Sequence, residues 1–252
     1  MKTVATSINK HEVMAMRRFA EEDLGVEFKM DGQINPRIDC SQSPLAVRLT
    51  PEEVVALDMA TTKTSSEYRT LAERSINETA NSAHVDTVYV CGGGVNSFAL
   101  NALGEIGICV ISQQETFSIR TDGVKEVWEK SLLQLRGRKR TRVTKCAECR
   151  IKLLCGMCPA NGEMENGDRE SPVEFLCHVA HLRAQAVGAS VPAHGECDFC
   201  AGGIMHEEIV DSARRIVNKE VDVESWIGPQ QVFPILNNSG VAVGGCGNCG
   251  SH

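Results

Sequence analysis

Twelve cysteines are the densest chemistry that this sequence of 252 residues offers. They stand at positions 40, 91, 109, 146, 149, 155, 158, 177, 197, 200, 246 and 249, and only Cys40 lacks a cysteine neighbour at a plausible ligand spacing. The N-terminus runs from Met1–Thr6 into the polar Ser7-Ile8-Asn9-Lys10 and has no signal-peptide core. The thiols are therefore expected to stay reduced in a cytoplasmic setting, and clustered reduced thiols point to metal. Cys146-x-x-Cys149 is followed, after five residues, by Cys155-x-x-Cys158-Pro159. A CxxC turn aims both sulfurs to one side of a tight loop, which suits any tetrahedral thiolate metal. The gap between the pairs separates the options. A zinc ribbon places roughly 15–20 residues between its pairs so that two knuckles can face each other. A ferredoxin-like run crowds three cysteines round one cluster and sends a fourth, followed by Pro, to a second cluster. Cys158-Pro159 follows the second logic, which favours iron–sulfur over structural zinc or ordinary buried thiols.

Two further pairs lie outside this run. Cys197-x-x-Cys200 is preceded by His194, and Cys246-x-x-Cys249 is followed by His252. They could share one zinc, although the long gap between them is no recognised finger spacing. A flexible redox-active or substrate-like tail is the alternative, because Gly244, Gly245 and Gly247 leave little there to pack. His178 and His181 fall at i and i+3 after Cys177 on an expected helix, and are read as helical surface.

The elements that must position these groups follow from composition and periodicity. The apolar content of 42% supports a buried core, while 4% aromatics argues against aromatic-rich sandwiches and base-stacking RNA readers. A formal charge of −7 argues against a nucleic-acid partner, and no run is apolar and long enough for a membrane helix. Lys2–Ile8 reads as a strand. Asn9 with Glu12 reads as a capping box, and Val13, Met16, Phe19, Ala20 and Leu24 recur at helical spacing up to Gly25. Val26–Met30 alternates as a strand, so the first thirty or so residues form a strand–helix–strand unit that favours parallel pairing. Thr50-Pro51-Glu52-Glu53 opens a helix, and Ser66–Thr79 is helical. Ser97–Ala102 and Ile106–Ser112 read as strands joined across Leu103-Gly104-Glu105. Asp122 caps a helix through Leu133, and Glu207–Asn218 is another. The basic run Arg136–Arg142 reads as a solvated loop, with holding an acidic peptide or offsetting cluster charge as the alternative.

With those residues in view, the chain resembles a known family. Cys91, twelve residues, Gly104, four residues, Cys109, then the run from Cys146 to Cys158 and a trailing Cys177 look like the seven-cysteine SPASM motif. That domain is the C-terminal extension of radical-SAM enzymes that modify peptides and proteins, among them the subtilosin, quinohemoprotein and mycofactocin maturases and the anaerobic sulfatase activators. The likeness covers roughly residues 91 to 185. Two residues separate Cys155 from Cys158 where the family usually has three. Thr3–Ile8, the following helix, Gly25–Asp31, Ile34-Asn35-Pro36-Arg37 and Leu49–Glu53 are similar to the last part of a radical-SAM partial barrel. No Cys-x3-Cys-x2-Cys, the family's site for cleaving S-adenosylmethionine, occurs in the sequence. The chain is accordingly expected to be the back half of a longer enzyme, and not to cleave the cofactor alone.

The resemblance implies two auxiliary [4Fe–4S] clusters. The first would take Cys91, Cys109 and Cys158, with His84 or an open iron completing it. The second would take Cys146, Cys149, Cys155 and Cys177, with Arg138, Lys139, Arg140 and Arg150 available to offset charge. The expected fold is α+β: a barrel remnant over 1–60, a helical linker over 61–90, a SPASM domain over 91–185 and a cysteine-containing extension over 186–252. The implied partners are a peptide or protein substrate and the missing N-terminal radical-SAM half. Rival readings are a zinc-stabilised binding module and a standalone iron–sulfur electron carrier.

Overall fold

The computed structural model describes residues 1–81 and 86–228. Helices and two small sheets make it α+β. Strands β1 (Lys2–Val4) and β2 (Lys29–Asp31) pair in parallel, with Lys2 opposite Lys29. Parallel strands need a crossover, and α1 (Val13–Arg18), continued by a wider turn at Phe19–Asp23, supplies it. The wider turn changes the phase of the apolar stripe. Val13 and Ala20 are buried, whereas Phe19 and Leu24 are 51% and 53% exposed.

Two local expectations fail for identifiable reasons. Asn9 does not cap the helix, because its Oδ1 accepts the Thr6 N–H at 2.7 Å and the Thr6 hydroxyl at 3.1 Å instead, so no Asn9–Glu12 capping box forms. The second strand starts at Lys29, not Val26. The Val26 N–H is used to close the helix on the Ala20 carbonyl at 2.9 Å, which keeps Val26 out of the ladder.

Helix α2 (Pro51–Met59) begins as expected. The Thr50 hydroxyl accepts the Glu53 N–H at 3.2 Å, and the Glu53 carboxylate accepts the Thr50 N–H at 2.9 Å. Helix α3 (Thr62–Asn81) follows. The second sheet is antiparallel, in the order β3 (Ala99–Leu100), β4 (Glu105–Cys109), β5 (Ser112–Ser118). The hairpin across Leu103-Gly104-Glu105 forms, but the chain turns back at Val110–Ile111, leaving Cys109 opposite Ser112. The polar run Gln113–Thr116 hid the third strand. A helical stretch from α4 (Gly123–Glu126) to α5 (Leu133–Arg136) packs Val127, Leu132 and Leu135 on Ile106 and Ile108.

Three further α-helices follow among the described residues: α6 (Pro159–Asn166), α7 (Glu174–Ala186) and α8 (His206–Val217). Helix α7 is central, burying Leu176, Cys177, Val179, Ala180, His181, Leu182 and Ala184 between α2 and α8. Its Arg183 donates from Nε to Asp58 at 2.8 Å and from Nη1 to the Leu154 carbonyl at 3.0 Å. The Tyr68 hydroxyl donates to the other Asp58 oxygen at 3.1 Å. Burial pushes the Asp58 carboxyl up even though Arg183 pulls it down. One polar cluster thus ties α2, α3, α7 and the loop entering Cys155. Among the described residues no helix is long and apolar enough to cross a membrane.

Removing one member of a buried pair strands the other charge, at about 3–5 kcal/mol. Arg183→Ala should lose stability of that order in urea unfolding, and Asp58→Asn less, because an amide still accepts from Tyr68. Unfolding midpoints indistinguishable from the parent would contradict this role.

Candidate metal centres

A cavity of about 610 Å³ opens beside α7, and Cys146, Cys149, Cys155, Cys158 and Cys177 all line it, together with Arg140 and His181. The loop that carries four of these thiols is held by its apolar residues. Ile151 and Leu154 bury against Ala72, Ala180 and Ala184, and Cys149 and Cys155 pack on the edge of that cluster. Cys158 immediately precedes Pro159, the first residue of α6, and its carbonyl accepts the Asn161 and Gly162 N–H groups at 3.1 and 3.2 Å. Pro at this first helical position lacks only a donor that would have no helical partner anyway.

The thiols interact in two sets. A hydrogen bond with Cys177, aided by Thr144 and by the positive charges of Lys145 and Arg140, outweighs burial and brings the Cys146 thiol down to about 6. The same hydrogen bond, with burial, pushes Cys177 up. Burial takes Cys155 up to about 12, and the Cys149 and Cys146 thiolates add to the rise. Cys158 is also pushed up by burial, but the thiolates that act on it are those of Cys109 and Cys91. Cys109 ends β4. The chain bearing Cys91 folds tightly over that strand at Gly93, where a Cβ would sit 2.8 Å from the Ile108 carbonyl oxygen and 3.6 Å from the Cys91 sulfur.

A second site adjoins this cavity at His181. His181, His194, Cys197 and Cys200 are all buried, and their four ligand atoms lie within 4.8 Å of one another. Among the described residues it is the one group of His, Cys, Asp and Glu with this spacing. Cys200 Sγ is 3.2 Å from His194 Nδ1 and 3.3 Å from His181 Nε2, and Cys197 Sγ is 3.5 Å from His181 Nε2. Burial alone would raise the Cys197 thiol, but hydrogen bonds from His181 and His194 lower it to about 5. Hydrogen bonds to Cys149 and Cys197 raise His194 to about 10. Burial first, and then the Cys197 thiolate, take Cys200 up to about 12. Gly203 closes this loop: a Cβ there would meet the Asp198 carbonyl oxygen at 2.3 Å. The Phe199 ring covers the site, 5.6 Å from His181 and under the Lys145 ammonium at 5.5 Å.

His181 is therefore not helical surface. It is 4% exposed and turned inward, on the same face of α7 as Cys177, four residues before it. Its apolar neighbours Val179, Ala180 and Leu182 were the sequence signal for a buried face. His178 is half-buried against Phe199 at 5.1 Å. Cys40 lies apart, beside the Glu163 carbonyl and Gln114. Three of the five cations in the basic run are tied to this chain's own carboxylates: Arg138 binds Glu115 at 2.7 and 2.8 Å, Lys139 binds Asp86 at 2.8 Å, and Arg142 pairs with Asp168. His84, Cys246, Cys249 and His252 fall outside the described residues.

Comparison with protein-family models, with curated proteins and with solved structures returned no match. The structure thus defines a cysteine-rich α+β chain with a buried cluster of two histidines and two cysteines able to ligate metal.

A thiol near 6 is mostly thiolate at pH 7, whereas an ordinary cysteine near 8.5 is about 3% thiolate. In metal-free, reduced protein, iodoacetamide at pH 7 should label Cys146 at least about fivefold faster than Cys155, read by peptide mass spectrometry. Equal rates would show that the Cys146–Cys177 hydrogen bond does not govern this site.

Proposed function

We propose that this chain is the iron–sulfur-binding part of a radical-SAM enzyme that modifies peptides or proteins, with SPASM-type thiols holding two [4Fe–4S] clusters. The observation that supports this reading is the sorting of the seven thiols. Cys146, Cys149, Cys155 and Cys177 act on one another at the cavity, and Cys158 responds to Cys91 and Cys109. That division is the one the family resemblance implies. Cys158 lines the same cavity as the first four, so the two sets adjoin.

The donor chemistry suits the group. Seven soft thiolates in two sets match the ligand type that holds iron–sulfur clusters. Such clusters supply one-electron chemistry when bound. The chain's own residues would ligate them, bring positive charge close through Arg140 and Lys145, and exclude water on the α7 side. A peptide or protein substrate would approach from the open side of the cavity. The set of Cys91, Cys109 and Cys158 has three protein ligands, which leaves one position for a substrate group or a further residue.

The competing class is a zinc-stabilised binding module without redox chemistry, and the His2Cys2 site speaks for it. Metal analysis separates the two. Protein purified without oxygen should carry about eight irons and eight sulfides, the content of two cubanes. Cys177→Ala and Cys109→Ala should each lose about half of that iron. Zinc alone with no sulfide would overturn the proposal, and loss of all the iron, or of none, from either single variant would overturn the division into two sets.

A further inference from the structure

We infer that His181, His194, Cys197 and Cys200 form a closed structural site for a single divalent zinc ion, separate from the seven motif thiols. The argument rests first on size. Bonds of about 2.3 Å to sulfur and 2.0–2.1 Å to nitrogen give a tetrahedron whose edges are roughly 3.3–3.8 Å. The sulfur–nitrogen separations of 3.2, 3.3 and 3.5 Å fit one ion at the centre. An iron–sulfur cluster spreads its ligands over several metal atoms and needs a wider frame.

Charge and donor type point the same way. Two thiolates and two neutral imidazoles carry −2, which a divalent ion cancels. A tetrahedral set of two sulfurs and two nitrogens is the zinc pattern, unlike the oxygen sets of calcium or magnesium. All four residues are buried, at 4%, 7%, 6% and 3% exposure, so no position is open for a substrate. That is the arrangement of a structural zinc site.

The surroundings orient the ligands. His181 Nδ1 lies 2.7 Å from the Cys177 carbonyl oxygen and donates to it, which turns Nε2 toward the thiols as the nitrogen that would ligate. The Phe199 N–H donates to the Cys197 sulfur, and the His194 N–H to that of Cys200, as in a thiolate knuckle. His194 Nδ1 is also 3.2 Å from the Pro192 carbonyl oxygen, which fixes the orientation of its ring. The consequence is structural. One ion would clamp α7 to the segment leading into α8, and through the His194–Cys149 hydrogen bond it would steady one of the motif thiols.

The test uses the full chain and zinc(II) alone, titrated anaerobically against a chromophoric chelator, with cobalt(II) as a spectroscopic substitute. One tight equivalent is expected, with tetrahedral cobalt bands and thiolate charge transfer. Loss of an outer partner of a metal ligand already costs about 10–100-fold, so His194→Ala and Cys200→Ser should weaken this equivalent by at least about 100-fold. His181→Cys, which keeps a fourth soft ligand, should retain it with stronger charge transfer. Cys91→Ala and Cys155→Ala should leave it in place, as should the double change Cys246→Ser with Cys249→Ser. Retention of the tight equivalent in Cys200→Ser, octahedral cobalt bands, or its loss when Cys246 and Cys249 are changed would overturn the assignment. A chain with this zinc and no iron would leave the site standing and remove the iron–sulfur reading, so the two fail separately.

Discussion

Helix α7 carries residues of two donor clusters within a little over one turn, and the rest of the structure is arranged round it. Cys177 faces the thiol cavity, His181 one turn later faces the second site, and Arg183 two residues beyond reaches Asp58 at 2.8 Å. A helix in this role cannot slide or rotate by one residue without misplacing all three. The buried ion pair is what fixes it, because a displaced Arg183 leaves an unpaired carboxylate among apolar side chains. The same guanidinium holds the Leu154 carbonyl, so the position of α7 and that of the loop bearing Cys155 are set by one interaction.

Around that axis the two donor sets differ in kind. Five of the seven motif thiols line an open cavity, where the hydrogen bond with Cys177, helped by Lys145 and Arg140, draws the Cys146 thiol down. The second site is buried, with the Phe199 ring packed against His181. The first arrangement suits a group that exchanges electrons or meets a substrate. The second suits an ion that holds chain segments together, and a chain with 4% aromatics gains from such an ion because metal-binding energy counts as folding energy.

Much of the fold was legible from local pattern. Thr50-Pro51-Glu52-Glu53 opens α2 with the expected reciprocal cap, and the hairpin across Gly104 forms where glycine was needed. Asn9 misled because its side chain found the Thr6 N–H, a choice between two nearby donors that spacing does not decide. Strand β5 was missed because its polar residues show no alternation. The division of the seven candidate thiols came from the family resemblance, and of the second site only His194, Cys197 and Cys200 stood together in the sequence, with His181 read as helical surface. His181 and His194 belong to a helix and a loop that meet only in the folded chain, and the pairing first read for Cys197 and Cys200 ran to a tail beyond the described residues. Ligands that converge from separate elements leave no spacing to read.

The most direct test is a crystal structure of the anaerobically purified full chain with anomalous difference maps measured at the iron and zinc absorption edges. The account predicts two compact iron sites, one among Cys146, Cys149, Cys155 and Cys177 and the other beside Cys91, Cys109 and Cys158. It also predicts a single zinc peak between His181, His194, Cys197 and Cys200. Zinc at the motif thiols with no iron signal, or one iron site drawing ligands from both thiol sets, would contradict it.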